Sequence, residues 1–218
     1  MNPSGNRPLP SFGGVSYFAR GALRSSSGGR KALRVVSVNV SLPREVPYKG
    51  GTVSTSIFKE PVAGRVRVRT VGLEGDAVGD PRVHGAPTKA VYGYPGEHYR
   101  FWRAEFPAMH MPWGMFGENL TMEGLLEADV RVGDRFRVGT AILEVTKPRF
   151  PCFKLGIRFG REDILDRFLH SGRSGFYFRV VEEGAVAAGD PITFLGGARG
   201  PAIEDVVRAR IEEDRAGE

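Results

Sequence analysis

Cys152 is the only cysteine in 218 residues, and it sits in the run Lys147-Pro148-Arg149-Phe150-Pro151-Cys152-Phe153-Lys154. Four cations, Lys147, Arg149, Lys154 and Arg158, lie around it in sequence, and no acid occurs between Glu144 and Glu162. Neighbouring positive charge favours the thiolate, the form that attacks electrophiles and binds metals. Pro148 and Pro151 predict a stiff, non-helical backbone at the sulfur. A lone thiol forms no internal disulfide, so its use is packing, catalysis or ligation. Inert packing is the ordinary fate of a free cysteine. The cations and the rigid turn tilt the reading towards chemistry.

A second run, from Gly72 to Lys89, contains Asp76, Asp80 and His84 at every fourth position. On a helix these would share one face, but Gly79, Pro81 and Gly85 favour a long shaped loop. Two carboxylates and an imidazole could hold a divalent metal or orient a ligand. They could equally tie the loop through side-chain to backbone hydrogen bonds. Lys89 adds a cation at the loop's exit. In Phe116-Gly117-Glu118-Asn119-Leu120, Asn119 offers donors and acceptors of the kind a heterocycle needs; the plain alternative is a strand start. Gly172-Arg173-Ser174-Gly175 is either a turn suited to anion capture or simply a turn. There is no Gly-rich phosphate loop, zinc-finger spacing or Gly-x-Ser-x-Gly elbow.

Short strands with many turns must position these groups. The chain has 30 glycines and 15 prolines, a composition that disfavours long helices. Strands are predicted over Ala32–Val40, Arg65–Arg69, Lys89–Tyr94, Phe176–Val181 and Ile192–Leu195. Arg135–Val138 and Ala141–Thr146 should form a hairpin about Gly139-Thr140. Helices are predicted over Pro95–Phe106, with Pro95 at its start and His98, Phe101, Trp102 and Phe106 on its inner face, over Glu162–His170, and over Pro201–Asp214. Strand and helix do not alternate regularly, so the expectation is a mostly β fold, an antiparallel β-barrel or folded sheet with peripheral helices.

The net charge of +6 is misleading. Seven of the 31 basic residues precede the first acid, Glu45, which leaves 24 against the 25 acids. A folded body so nearly neutral is a poor fit to a nucleic-acid-binding face. Residues 1–32, rich in Ser, Gly, Pro and Arg, read as a disordered basic tail; an acid-free start of this kind also matches organelle-targeting segments. No apolar run is long enough to span a bilayer. A single cysteine suits a reducing compartment such as the cytoplasm.

Taken together, these stretches resemble the MOSC family, and within it the YiiM-like branch. The residues that carry the resemblance are Gly72-Leu73-Glu74-Gly75-Asp76 through Asp80 and His84-Gly85, Lys89-Ala90-Val91-Tyr92, Glu97-His98-Tyr99, and Phe116-Gly117-Glu118-Asn119-Leu120. Gly133-Asp134-Arg135-Phe136, Pro148-Arg149-Phe150-Pro151-Cys152-Phe153-Lys154-Leu155 and Gly172-Arg173-Ser174-Gly175-Phe176 complete it. Their joint order over residues 33–195 is the specific signal, and it implies a MOSC domain there with 196–218 as a short C-terminal helix. Two departures stand out. Gly85 is followed by Ala86 where the family often shows a second glycine. One helix stands where YiiM-like proteins carry a three-helix region.

The resemblance implies a β-rich MOSC fold and a molybdenum cofactor, Mo-molybdopterin, with an association to pyridoxal phosphate at family level only. It implies a detoxifying reduction of N-hydroxylated compounds, hydroxylaminopurines or amidoximes, to amines. Oxygen leaves as water after two electrons and two protons, and the organic step belongs to the cofactor. Carried onto this chain, Cys152 is the metal ligand, while Lys59, Lys89, Arg149, Lys154 and Arg173 hold the anionic cofactor. Asn119 bonds the pterin or orients substrate, Asp76 shapes the loop, and His84 or Asp80 is the proton donor. The electron donor would be a separate flavin- or iron–sulfur-containing protein. Two other readings stay open: a carrier of cofactor or sulfur without turnover, and a metal-free enzyme with Cys152 as nucleophile and His84 as base.

Overall fold

The valine-rich opening of the folded sequence forms β1 (Arg34–Val40), with Val35 and Val38 fully buried. In the computed structural model, which describes residues 32–77, 87–197 and 200–217, twelve further strands follow. They are β2 (Arg44–Tyr48), β3 (Gly51–Thr55), β4 (Glu60–Pro61), β5 (Val66–Arg69), β6 (Gly72–Leu73), β7 (Val91–Pro95), β8 (Leu120–Glu123), β9 (Asp134–Val138), β10 (Ala141–Pro148), β11 (Phe176–Glu182), β12 (Gly184–Val186) and β13 (Ile192–Gly197). Four α-helices accompany them: α1 (His98–Glu105), α2 (Phe153–Phe159), α3 (Ile164–His170) and α4 (Ile203–Ala216).

Eight strands curl into a half-barrel in the order β13-β9-β10-β11-β7-β8-β1-β4. The fold is mostly β with peripheral helices, as the sequence predicts. Every pairing in this sheet is antiparallel except β7 with β8. That parallel pair needs a crossover connection, and α1 lies within it. The expected hairpin forms with Ala141 opposite Val138 and Leu143 opposite Phe136; Gly139 supplies the positive φ of its turn, 59°.

β7 explains how two cores coexist. All five of its residues are buried, and successive side chains point to opposite faces. Val91 joins the aliphatic core inside the half-barrel with Val35, Leu120 and Phe178. Tyr92 and Tyr94 join an aromatic cluster on the other face with Tyr99, Trp102, Phe116 and Phe168. The Trp102 indole N–H donates to Tyr94 Oη at 2.7 Å, so the buried polar tips satisfy each other.

Two expectations are corrected. Pro95 ends β7 instead of opening a helix, because the Gly96 N–H donates to Met122 O at 2.6 Å and holds the turn against β8. The helix then begins at His98, and its buried residues are Tyr99 and Trp102 rather than His98 and Phe101. Ile203 and Val207 of α4 are buried in the aliphatic core, within a unit that spans Lys31–Glu218.

Gly175 shows how tightly the chain packs against β7 and its tyrosines. At φ +60°, a Cβ there would lie 2.5 Å from Gly93 O and 2.9 Å from the rings of Tyr92 and Tyr94. Gly175→Ala is expected to cost roughly 3 kcal/mol in urea unfolding, from overpacking added to left-handed strain. An unchanged midpoint would contradict that packing.

Candidate functional site

β10 carries the cysteine segment to its place. Its register against β11 slips between Val145 and Lys147, a bulge that bends the strand while Lys147 and Pro148 stay paired with Tyr177 and Phe176. Cys152 then adopts an extended conformation (φ −133°, ψ 163°) and precedes α2, whose Leu155 N–H donates to Cys152 O at 2.8 Å. The non-helical backbone at the sulfur is as expected, but the helix directly after it is not. Gly156 and Ile157 make its local propensity poor, and no side chain caps it. Burial of Leu155 and Phe159 in the aromatic cluster stabilises it instead, and Gly160 ends it in the left-handed conformation, φ 66°.

The half-buried Cys152 faces a cleft of about 690 Å³. Lys59, before β4, and Asp76, after β6, come to the same cleft, as do Lys89 and Asn119, which precede β7 and β8. Arg149 and Lys154 complete the predicted residues that the fold brings together. Asp80 and His84 lie outside the described residues. Arg173 does not join the described cleft lining: its guanidinium sits 3.8 Å over the Phe101 ring and donates to Ser171 O at 3.0 Å. The turn that carries it faces α1 instead. Lys147, Tyr177 and the exposed Phe150 and Val71 line the cleft in addition.

Asp76 is the hub of one wall. Its Oδ1 accepts from Lys59 Nζ at 2.5 Å and from the Ser41 N–H at 2.9 Å; its Oδ2 accepts from Asn119 Nδ2 at 2.8 Å. Asn119 also accepts from the Tyr92 N–H at 3.0 Å and donates to Asn39 O at 3.4 Å. Both Asn119 donors therefore serve the protein, which makes this side chain a positioning residue more than a free recognition group. Burial holds the Lys59 ammonium below the ordinary lysine range, against the opposing pull of Asp76 and Glu118. Asp76→Asn removes the charge facing that buried ammonium and is expected to lower stability by roughly 2 kcal/mol in urea unfolding. No loss would mean that Lys59 is solvated by another route.

Arg149 forms the cleft floor. It is 4% exposed and lies 5.3 Å from the ring centres of both Tyr92 and Phe168. Burial works against its charge, but the Tyr92 and Tyr177 phenols and the Cys152 sulfur outweigh that, leaving the guanidinium above its ordinary value. Its Nη1 is buried without a hydrogen-bond partner, as is Ser56 Oγ in the same cleft. Among the described lining residues five cations, Lys59, Lys89, Lys147, Arg149 and Lys154, face a single acid, Asp76.

Two buried carboxylates were not singled out by sequence reasoning. Glu118 is fully buried and accepts from Tyr99 Oη at 2.5 Å, the Gly114 N–H at 2.9 Å, the Phe116 N–H at 3.1 Å and Thr121 Oγ1 at 2.9 Å. An acid two residues after Met115-Phe116 and two before Leu120 was the available signal. Glu127 pairs with His98 Nε2 at 2.8 Å and accepts from the Gly175 N–H at 2.7 Å; no sequence pattern links those three positions.

Fold and site together define a half-barrel protein with a cationic cleft around one thiol. The MOSC domain matches residues 80–193, and the chain belongs to the MOSC domain family. It is 40% identical over 171 residues to the uncharacterized protein YflK of Bacillus subtilis (strain 168), covering 78% of this chain and 77% of that one. It is 39% identical over 143 residues to protein YiiM of Escherichia coli (strain K12), covering 65% and 64%. A protein of Gibberella moniliformis (strain M3125 / FGSC 7600) named "Reductase" is 36% identical over 149 residues, which is 67% of this chain and 26% of that protein. The crystal structure of YiiM from Geobacillus stearothermophilus superposes with a TM-score of 0.69 at 33% identity, covering 83% of this chain and 85% of that one. These place the chain in the YiiM-like branch.

The family is associated with the molybdenum cofactor, and the residues here fit such a group. A thiol supplies a soft donor for the metal, and the orphaned Arg149 Nη1 and Ser56 hydroxyl await oxygen or anionic partners. Among the described residues no group of three or more His, Cys, Asp or Glu could hold a bare metal ion. No helix of the described residues is long and apolar enough to cross a membrane.

Proposed function

We propose that this protein is a molybdenum-cofactor-dependent reductase that converts N-hydroxylated compounds to amines, with Cys152 as the single protein ligand to the metal. The observation that carries this reading is the half-buried Cys152 sulfur on a cleft whose buried Arg149 has an unpartnered guanidinium nitrogen. When bound, the cofactor supplies the two-electron chemistry that removes the oxygen. The chain supplies the rest. Lys89, Lys147, Arg149 and Lys154 set a positive potential that receives the anionic phosphate of the pterin. Asp76 fixes Lys59 and Asn119 so that their wall stays in place without substrate. Phe150 and Val71, both exposed, give the mouth an apolar rim against which a flat substrate can desolvate. Asp80 and His84 keep the proton-donor role that the resemblance assigns them, and a separate flavin- or iron–sulfur-containing protein delivers the electrons.

The test is reduction of benzamidoxime to benzamidine, with reduced methyl viologen as donor, by protein made in a host that synthesises the cofactor. Turnover with molybdenum present is expected. Stoichiometric release of cofactor to an acceptor protein without turnover would make the chain a carrier instead. Iodoacetamide-sensitive activity in molybdenum-free protein would replace metal chemistry with a cysteine nucleophile.

A further inference from the structure

Beside the cleft, two arginines converge on one phenyl ring. The Arg44 guanidinium stacks 3.5 Å over the Phe58 centroid, and the Arg158 guanidinium lies 5.1 Å from the same centroid. Neither makes an ion pair or hydrogen bond among the described residues, and Arg158 Nε is buried without a partner. Two like charges this close repel, and an unpaired buried N–H is costly. Burial first, and then Arg44, hold the Arg158 guanidinium below its ordinary value; Tyr99, Glu118 and Glu60 pull it the other way without contact.

Both arginines are tied to the cleft by their elements. Arg44 opens β2 and is the cross-strand partner of Thr55, a cleft-lining residue. Arg158 lies on α2 four residues after Lys154, also a lining residue, and residues so spaced share a helix face. Stacking uses the flat face of Arg44 and leaves its planar N–H donors free, an arrangement suited to tetrahedral oxyanions.

We propose that Arg44 and Arg158 form an anion subsite at the edge of the cleft that takes a phosphate monoester. The ester is carried either by the cofactor or by a nucleotide-level substrate; these share one headgroup chemistry, and the experiment separates them.

The experiment compares wild type, Arg44→Gln and Arg158→Gln as purified, by calorimetric titration with inorganic phosphate and with adenosine 5′-monophosphate, and by pterin content read from its fluorescent oxidation product. Arg44 is exposed, so Arg44→Gln should fold even if Arg158→Gln does not, and thermal melting checks both. A substrate-borne ester predicts at least tenfold weaker binding of both titrants in the variants, about 1.4 kcal/mol, with unchanged pterin content. A cofactor-borne ester predicts a severalfold loss of pterin from folded Arg44→Gln protein. Folded variants matching wild type in both readouts would overturn the subsite. Because neither readout needs turnover, the subsite can fail while the reductase reading stands, and the reverse.

Discussion

Cys152→Ala protein should fold like wild type and emerge from a cofactor-competent host without molybdenum. The sulfur is half-buried at the start of α2, so its removal opens no sealed cavity, and the stability loss should stay below about 1 kcal/mol. The cleft's cations remain, so pterin phosphate can still be attracted, but among the described lining residues Cys152 is the only sulfur donor. Metal-to-protein ratio should therefore fall more than about tenfold, which corresponds to 1.4 kcal/mol or more of ligation, and benzamidoxime turnover should vanish with it. Elemental analysis beside a circular dichroism melt separates ligation from folding. A fully metallated Cys152→Ala protein would remove the cysteine from the metal's coordination and the reductase proposal with it.

Glu118→Ala is expected to be the most destabilising single change near the site. The carboxylate gathers four donors from three directions: the Tyr99 hydroxyl on α1, two N–H groups of the Gly114–Phe116 turn, and Thr121 on β8. Deleting it leaves four buried donors unmet at about 1–3 kcal/mol each, so a total on the order of 5 kcal/mol is expected. A loss of that size approaches the whole stability of an ordinary domain, and much of the variant should be insoluble. Glu118→Gln keeps one acceptor and should lose roughly half as much.

The same residue sets a pH signature. Burial raises the Glu118 carboxyl above the usual carboxylate range in the folded state, although its donors pull it down. The folded protein therefore holds this proton to higher pH than the unfolded chain. Stability contributed here declines as pH rises from the ordinary carboxylate range through the folded value. Urea unfolding across that window should show the decline in wild type and not in Glu118→Gln; identical profiles would mean that Glu118 is ionised throughout.

Much of the fold was legible because its signals are local. The β9–β10 hairpin announces itself by alternation on both sides of Gly139-Thr140, and β1 by its valines. Helix α2 was not legible: Gly156 and Ile157 argue against a helix, and only contacts with distant aromatics stabilise it. The start of α1 was misplaced because Pro95 suits a first helical turn locally, while its hydrogen-bonded neighbour Gly96 answers to Met122 on another strand.

The candidate site divides along the same line. Residue chemistry alone marked Cys152 and the cations near it, since a unique thiol in an acid-free stretch is visible without coordinates. It also marked Asp76 and Asn119 as polar groups with work to do. Only the folded chain decided that Asp76 grips Lys59 and Asn119, that Arg173 turns to Phe101, and that Arg44 and Arg158, 114 positions apart in sequence, meet over one ring. Local pattern is set by steric and hydrogen-bonding preferences within a few residues. Which strand ends share a cleft is set by register and crossover in the sheet, which couple residues far apart in sequence.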